Sequence, residues 1–232
     1  PRTQAHTHPS SPRRRSLDPE YRCAVAHAAA MLSELQDRPS PFSAVVPQDV
    51  LRDVLCQLAN TLRESGAIDE RESFIDATFS PAKGGGDCIG PTKRGKGVKI
   101  MGIVDKNGLP LAVTTHAANH HEVTLVQLTF DFYMIEAKPE KLIGDRAYDS
   151  DRLDNDLKND GIEMIAPHRK NRVMQPTQDG RKLRRYKRRW LVERFWSWLH
   201  WQRRLVVRYE YYMTNFLGFV QLASICILLK RF

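Results

Sequence analysis

The 232-residue chain has four cysteines, at 23, 56, 88 and 226, and none stands at the CxxC spacing of a zinc or redox site. No zinc knuckle is encoded, and without a pairing pattern the thiols read as reduced, as in a cytosolic protein. Long apolar runs are missing too. The most apolar stretch, FLGFVQLASICILL, covers residues 216–229 and contains Gln and Ser. It falls short of the roughly 20 apolar residues that span a bilayer, and reads as a buried core helix. The opening PRTQAHTHPSSPRRRS has no apolar h-region and therefore is not a signal peptide, and its first residue is Pro rather than Met, which raises the expectation of a fragment. What remains is a cytoplasmic protein with no membrane partner.

The most informative scarcity is of acid near the C-terminal end. Residues 181–208 hold 11 Lys and Arg against one acid, Glu193; the whole chain has 36 Lys and Arg against 27 Asp and Glu, leaving 25 against 26 elsewhere. The positive charge is thus one patch, the electrostatic footprint of a protein that meets a polyanion, most often nucleic acid. Trp and Tyr interleaved with the cations suit stacking against bases better than a plain solvated face or a membrane-surface helix. Read as a helix, Tyr186–Arg204 places Arg189, Glu193, Trp196, His200 and Arg204 on one face, at steps of four, three, four and four. Leu191, Phe195, Trp198 and Leu199 then turn toward a core. A lone acid on such a face suits a metal ion held beside a phosphate backbone, provided partner carboxylates come from upstream.

Residues 1–20 are a Pro, Ser, Arg and His mixture that reads as disordered, and 21–37 an Ala-rich helix. A helix from Pro47 to a Gly66 cap carries the apolar stripe Val50, Leu51, Val54, Leu55, Leu58 and Leu62. The period then becomes strand-like. ESFIDATFS (72–80) is a strand with Asp76 in its middle, a costly place for a carboxylate if the strand is central. A loop over 81–97 leads to VKIMGIVD, a turn at Asn107 and Gly108, and LPLAVTTH, a hairpin. Residues 120–135 read as a helix, 140–145 as a short strand ending in Asp145, 150–161 as a helix capped by Ser150 and Gly161, and 162–167 as a strand. A basic loop from His168 to Arg185 then delivers the chain to the cationic helix. Three hairpin-linked strands followed by alternating strands and helices predict an α/β mixed sheet flanked by helices, compatible with the ribonuclease H-like fold. That fold brings acids from its first and fourth strands and a later helix to one sheet edge; here they are Asp76, Asp145 and Glu193. The domain reading is a poorly matched segment over 1–46, a lead-in helix over 47–69 and the core over 70–232.

The blocks FIDATFSPAKGG, TKRGKGVKIMGIVD, HEVTLV, LIGDRAYDSD, GIEMIAPHRKNR, DGRKLRRYKRRWLVERFWSWL and RRLVVRYEYYMTNFLGFVQLA resemble the DDE transposases of bacterial insertion sequences, specifically the insertion-sequence five group. The resemblance runs over roughly residues 48–232. Its most specific element is Tyr, two residues, Arg, three residues, Glu, six residues, Lys; Tyr186, Arg189 and Glu193 meet it, and His200 stands where Lys is usual. Residues 1–46 do not match the amino-terminal helical region such enzymes use to find element ends.

The resemblance implies metal-dependent strand cleavage at element ends and strand transfer to target DNA, in the bacterial nucleoid. Two divalent ions about 3.5–4 Å apart activate the oxygen nucleophile and neutralise developing charge. Mg²⁺, with Mn²⁺ as substitute, takes hard oxygen ligands. Asp76 would bridge both ions, with Asp145 on one and Glu193 on the other. The expected DNA contacts are Tyr186, Arg189, Trp196, His200, Arg203 and Arg204, with Lys93, Arg94 and Lys96 from the glycine-rich loop and Arg146 after Asp145. Tyr148 would position the phosphodiester or orient Asp145. The partner is double-stranded DNA, bound by a homodimer or higher assembly. A DNA-binding remnant that has lost catalysis, and a nuclease of the same fold, are the competing readings. GPTKRGKG is not a phosphate-binding P-loop, because Gly97 stands where Ser or Thr is needed and a strand follows. His120 and His121 read as a helix start rather than a metal site.

Overall fold

The structure is a computed structural model that describes residues 49–173, 175–177 and 180–232. The expectations for 1–46, the helix over 21–37 included, lie outside the described residues, as does Pro47. Six strands form one mixed sheet: β1 (Glu72–Pro81), β2 (Gly90–Thr92), β3 (Gly95–Val104), β4 (Pro110–Ala117), β5 (Lys141–Ile143) and β6 (Glu163–Ile165). The order is β2-β3-β1-β5-β6, with β4 also on β3. β2 pairs with the start of β3 (Gly90 opposite Gly97) and β4 with the rest (Val98 opposite Ala117), so the two lie end to end along one edge of β3. β1 is central, antiparallel to β3 and parallel to β5, and this is the ribonuclease H-like arrangement.

The strands follow from their patterns. β3 is apolar on both faces where it is sandwiched between β1 and β4, and Ile100, Met101 and Ile103 are fully buried. At the β3–β4 turn, Gly108 has φ +79°, and Asp105 accepts hydrogen bonds from the backbone N–H groups of Asn107 (2.8 Å), Leu109 (2.8 Å) and Asp69 (3.1 Å). The stretch expected to be a loop over 81–97 instead contains the β2–β3 hairpin. β2 has only three residues and pairs with the Gly- and Lys-containing start of β3, so no apolar alternation announces the hairpin.

Among the described residues six α-helices cover the sheet: α1 (Val50–Glu64), α2 (Glu122–Phe130), α3 (Asp151–Asn159), α4 (Trp190–His200), α5 (Arg203–Val206) and α6 (Met213–Leu229). α1 buries Leu51, Leu55, Leu58, Ala59 and Leu62 and packs on α6; Gly66, at φ +75°, ends it. Ser150 caps α3 through Leu153 N–H, as its sequence predicts. α2 is shorter than the expected helix, stopping at Phe130. α4 lies over β1 and β3, and α6 over β4. No helix among the described residues is long and apolar enough to cross a membrane.

The cationic segment departs most from expectation. Instead of one helix from 186 to 204, Lys182–Arg189 form a 3₁₀ helix, α4 follows directly, and after a break at Trp201 and Gln202 comes α5. Arg204 therefore does not continue the face shared by Arg189, Glu193, Trp196 and His200.

Candidate active site

Asp76 sits mid-strand on β1, and the parallel β1–β5 ladder pairs Phe74 with Ile143. Two residues further on, the same register sets Asp145 beside Asp76 on the same face, because side chains in parallel strands keep step. Asp145 leaves the sheet there and caps the 3₁₀ turn Arg146–Tyr148, its Oδ1 accepting the Ala147 N–H at 2.7 Å. Gly144 before it has no alternative, since a Cβ there would stand 2.6 Å from the Tyr148 ring and 2.8 Å from Met164 Cε.

Asp76 is only 8% exposed. Its Oδ2 accepts two side-chain bonds from the cationic segment: Arg189 Nη2 at 3.0 Å and Trp196 Nε1 at 3.3 Å. Burial pushes the Asp76 carboxyl upward, the Arg189 charge and hydrogen bond pull it back in part, and the Asp145 charge adds to the rise. Arg189 is itself half-buried; against that burial, the charge of Asp76, the Tyr186 hydroxyl and Asp145 hold its proton more firmly than usual. Opposite Asp76 on β3 stands Gly102, and a Cβ there would lie 2.7 Å from the Trp196 ring. The missing side chain makes the slot in which the indole lies flat enough to reach Asp76. Gly102 is a site residue that sequence reasoning missed; its only trace was a glycine inside an otherwise apolar central strand.

Glu193 stands between Arg189 and Trp196 on the same helical face, four residues after one and three before the other, and is exposed. Asp76 and Asp145 are thus neighbours, while Glu193 is exposed on the helix whose Trp196 reaches Asp76. Among the described residues no group of three or more His, Cys, Asp or Glu is gathered tightly enough to hold a metal ion. As a donor set, adjacent carboxylates with an exposed third nonetheless suit a hard divalent ion, which one or two carboxylates and several waters can hold. Soft-metal ligands play no part here, the described cysteines 56, 88 and 226 being free thiols.

The surroundings of Asp145 are clamped through Asp149. Its carboxylate accepts Arg169 N–H (2.7 Å) and Arg172 Nη1 (2.7 Å) and pairs with His168 Nδ1 (2.9 Å), while Arg169 Nη2 reaches Ala147 O (2.7 Å). Burial alone would raise Asp149, but the Arg169 backbone, His168 and Arg172 together hold it below the usual carboxylate range. The basic loop is therefore partly a brace for the Asp145 turn. Tyr148 is fully buried, and its hydroxyl finds no hydrogen-bond partner among the described residues. Burial, then the charges of Glu122, Asp76 and Asp145, push its pKa well up. It packs under the acid pair and cannot touch DNA directly.

The other expected DNA contacts divide. Lys93, Arg94 and Lys96 are exposed at the tip and on the strand of the β2–β3 hairpin, and Arg146 and Arg203 are exposed. Asp145, Arg146, Pro167, Leu183 and Tyr186 line one open groove. Lys99 instead donates to His120 O at 2.7 Å and pairs with Glu122 at 3.3 Å. Trp196 corrects the expectation: at 7% exposure, with its N–H on Asp76, it is unavailable to bases. Trp198, expected in the core, is half-buried between Arg194 (4.8 Å) and Arg231 (6.0 Å). Burial lowers the His200 pKa, which disfavours its charged form. Arg204 lies over Phe219 (5.1 Å) and beside Glu210 (3.6 Å). Arg185 and Arg188 both pair with Glu72 of β1, the first at 2.6 Å. Part of the basic patch thus fastens itself to the sheet, leaving Arg184, Lys187 and Arg203 exposed.

Residues 68–229 match the family model described as Transposase DDE domain. The putative transposase for insertion sequence element IS402 of Burkholderia cepacia is 36% identical over 129 residues, 52% of this chain and 57% of that protein. The chain thus spans little more than half of that relative. Among solved structures, the piggyBac transposase synaptic complex with hairpin DNA aligns at a TM-score of 0.50 and 11% identity, over 68% of this chain and 45% of that one. The catalytic core domain of BIV integrase aligns at 0.38 and 17% identity, over 66% and 84%. The piggyBac likeness bears on fold alone.

Proposed function

Because the chain belongs to the Transposase DDE domain family, we propose that it is the catalytic core of an insertion-sequence transposase of the insertion-sequence five group, cleaving DNA at element ends and joining the 3′ ends to target DNA. The observation that supports this reading is Asp76 on β1 with Asp145 two residues past the end of β5, the strand paired parallel to β1, close enough that the Asp145 charge acts on Asp76. Asp76, Asp145 and Glu193 would hold Mg²⁺, or Mn²⁺ in its place. When bound, such ions lower the pKa of a nucleophilic water or 3′-hydroxyl and neutralise charge on the phosphate.

The chain's own residues do the rest. The Trp196 N–H and Arg189 fix the Asp76 carboxylate, so little reorientation is needed when a ligand arrives. The Asp149 clamp holds the turn that aims Asp145. Tyr186 and Arg146, in the groove beside Asp145, are placed to steer the scissile strand, with Lys93, Arg94, Lys96 and Arg203 as backbone contacts further out. The partner is double-stranded DNA carrying the element's terminal repeats, on which two or more copies assemble.

The test is metal-dependent nicking of a duplex that carries the terminal inverted repeats flanking the gene. Asp76→Asn, Asp145→Asn and Glu193→Gln each remove nicking and leave salt-sensitive DNA binding in place; wild-type nicking rates in any one variant overturn that residue's role. Replacing Arg203 with Ala lowers the slope of log affinity against log salt by about 1. An unchanged slope would move the DNA contact away from that face.

A further inference from the structure

Resting on the DNA-binding reading, we propose that Tyr209, Tyr211 and Tyr212 form a rigid stacking platform for unpaired bases of the DNA strand that runs past the acid pair. The three tyrosines are 58%, 63% and 58% exposed, on a segment joining α5 to α6 that the mechanism above does not use. The rings of Tyr211 and Tyr212 meet edge to face, with centroids 5.2 Å apart and planes at 79°.

The backbone beneath them is locked in place. Arg208 is wholly buried, and its guanidinium donates to Tyr211 O (2.6 Å), Glu210 O (2.8 Å) and Asp87 Oδ1 (2.8 Å). Asp87 in turn accepts Met213 N–H at 2.6 Å and donates its own N–H to Tyr211 O at 3.1 Å. Gly86, at φ +123°, lies so close that a Cβ would stand 2.3 Å from Tyr211 O. A buried arginine, a paired aspartate and a glycine contact hold three exposed aromatics still. Such pre-organisation is wasted on a solvated loop and favours binding, since ordering costs little.

The charge around the platform points to the ligand. Lys83 is exposed, and its backbone N–H bonds Arg208 O at 3.0 Å. Ala82 N–H bonds Lys96 O at 3.0 Å, which joins the platform to the hairpin carrying Lys93 and Arg94. The two acids in the segment are spent, Asp87 on Arg208 and Glu210 beside Arg204 at 3.6 Å. Cations for phosphates next to open aromatic rings for bases is the pairing that single-stranded nucleic acid requires, whereas a closed duplex offers no free base faces. Ala82, bridged to Arg208, lies six residues beyond Asp76 along β1, or about 20 Å at strand rise, so one strand can reach both.

The experiment compares a blunt duplex with the same duplex bearing a single-stranded 3′ overhang that contains 2-aminopurine, using the full chain. Wild type binds the overhang duplex more tightly and quenches the fluorophore. Substituting Ala at all three tyrosines lowers overhang affinity about tenfold or more and abolishes the quench, while blunt-duplex affinity and the unfolding midpoint stay near wild type. The triple Phe variant, which keeps the rings, retains both signals. Equal affinity of wild type for the two duplexes, or a quench that survives in the Ala variant, overturns the platform and leaves the DNA reading standing. Absence of salt-dependent binding to either duplex overturns both. DNA-free dimers of wild type that dissociate in the Ala variant would assign the tyrosines to a second copy of the chain and overturn the proposal.

Discussion

Asp76 on β1 and Asp105 at the β3–β4 turn are both buried carboxylates, and burial is the largest cause pushing each upward. They differ in what meets them. Asp105 is wholly buried and bound by three backbone N–H groups and the Asn107 amide, partners that cannot leave without undoing the β3–β4 turn. Asp76 is bound by two side chains from a helix, Arg189 and Trp196, and has Asp145 beside it. Backbone amides commit a carboxylate to the fold, whereas side-chain partners and a like-charged neighbour leave it free to exchange ligands. A buried acid is best read from its partners, since burial pushes both carboxyls upward alike.

The comparison breaks most visibly if Asp76→Asn leaves nicking intact. We expect a loss on the order of a thousandfold or more. The unfolding midpoint should move little, because Asn still accepts from Arg189 and Trp196. Asp105→Ala should do the reverse. It strands buried N–H groups and costs about 3 kcal/mol or more in urea unfolding, with DNA affinity of the remaining folded protein unchanged. A small stability loss there would remove the distinction.

Gly102→Val sharpens the comparison from the opposite strand. The new side chain collides with Trp196, so about 1–3 kcal/mol of stability and most nicking activity should be lost together. Retention of both would show that the indole does not position Asp76.

The smallest effect is expected at Asp154, a half-buried acid with neither kind of hydrogen-bond partner among the described residues, its pKa raised from 3.8 to about 6 by burial and by the charges of Asp151 and Asp149. Between those values the folded chain keeps a proton that the unfolded chain has released, so this group's contribution to stability falls as pH rises from about 4 to 6. Asp154→Asn should flatten the pH dependence of the melting temperature in that window. A profile identical to wild type would show that the group titrates normally.

Much of the site was legible in one dimension. Asp76 inside a β-branched strand and Asp145 at the end of a short apolar one sit at positions where period-two patterning is informative, and parallel pairing then sets them level. Helical spacing correctly grouped Arg189, Glu193 and Trp196. It also turned Leu191, Phe195 and Leu199 inward, as found, but misplaced the two tryptophans: spacing fixes directions around α4, whereas which ring enters the core depends on room, and Trp196 finds it over Gly102. So Trp196 went in and Trp198 stayed half out. The basic run could not reveal that Arg185 and Arg188 fasten to Glu72, nor its break into a 3₁₀ helix and two α-helices. The β2–β3 hairpin was hidden because three-residue β2 and the exposed start of β3 carry no apolar alternation.

The amino-acid order alone determined most of the strands, the amphipathic helices and the concentration of positive charge, since each depends on periodicity or composition within a short window. The tertiary structure alone decided what touches Asp76. Its partners Arg189 and Trp196 lie 113 and 120 residues away, and a bond over that distance depends on helix rotation, on a glycine across the ladder and on packing. No local pattern records those.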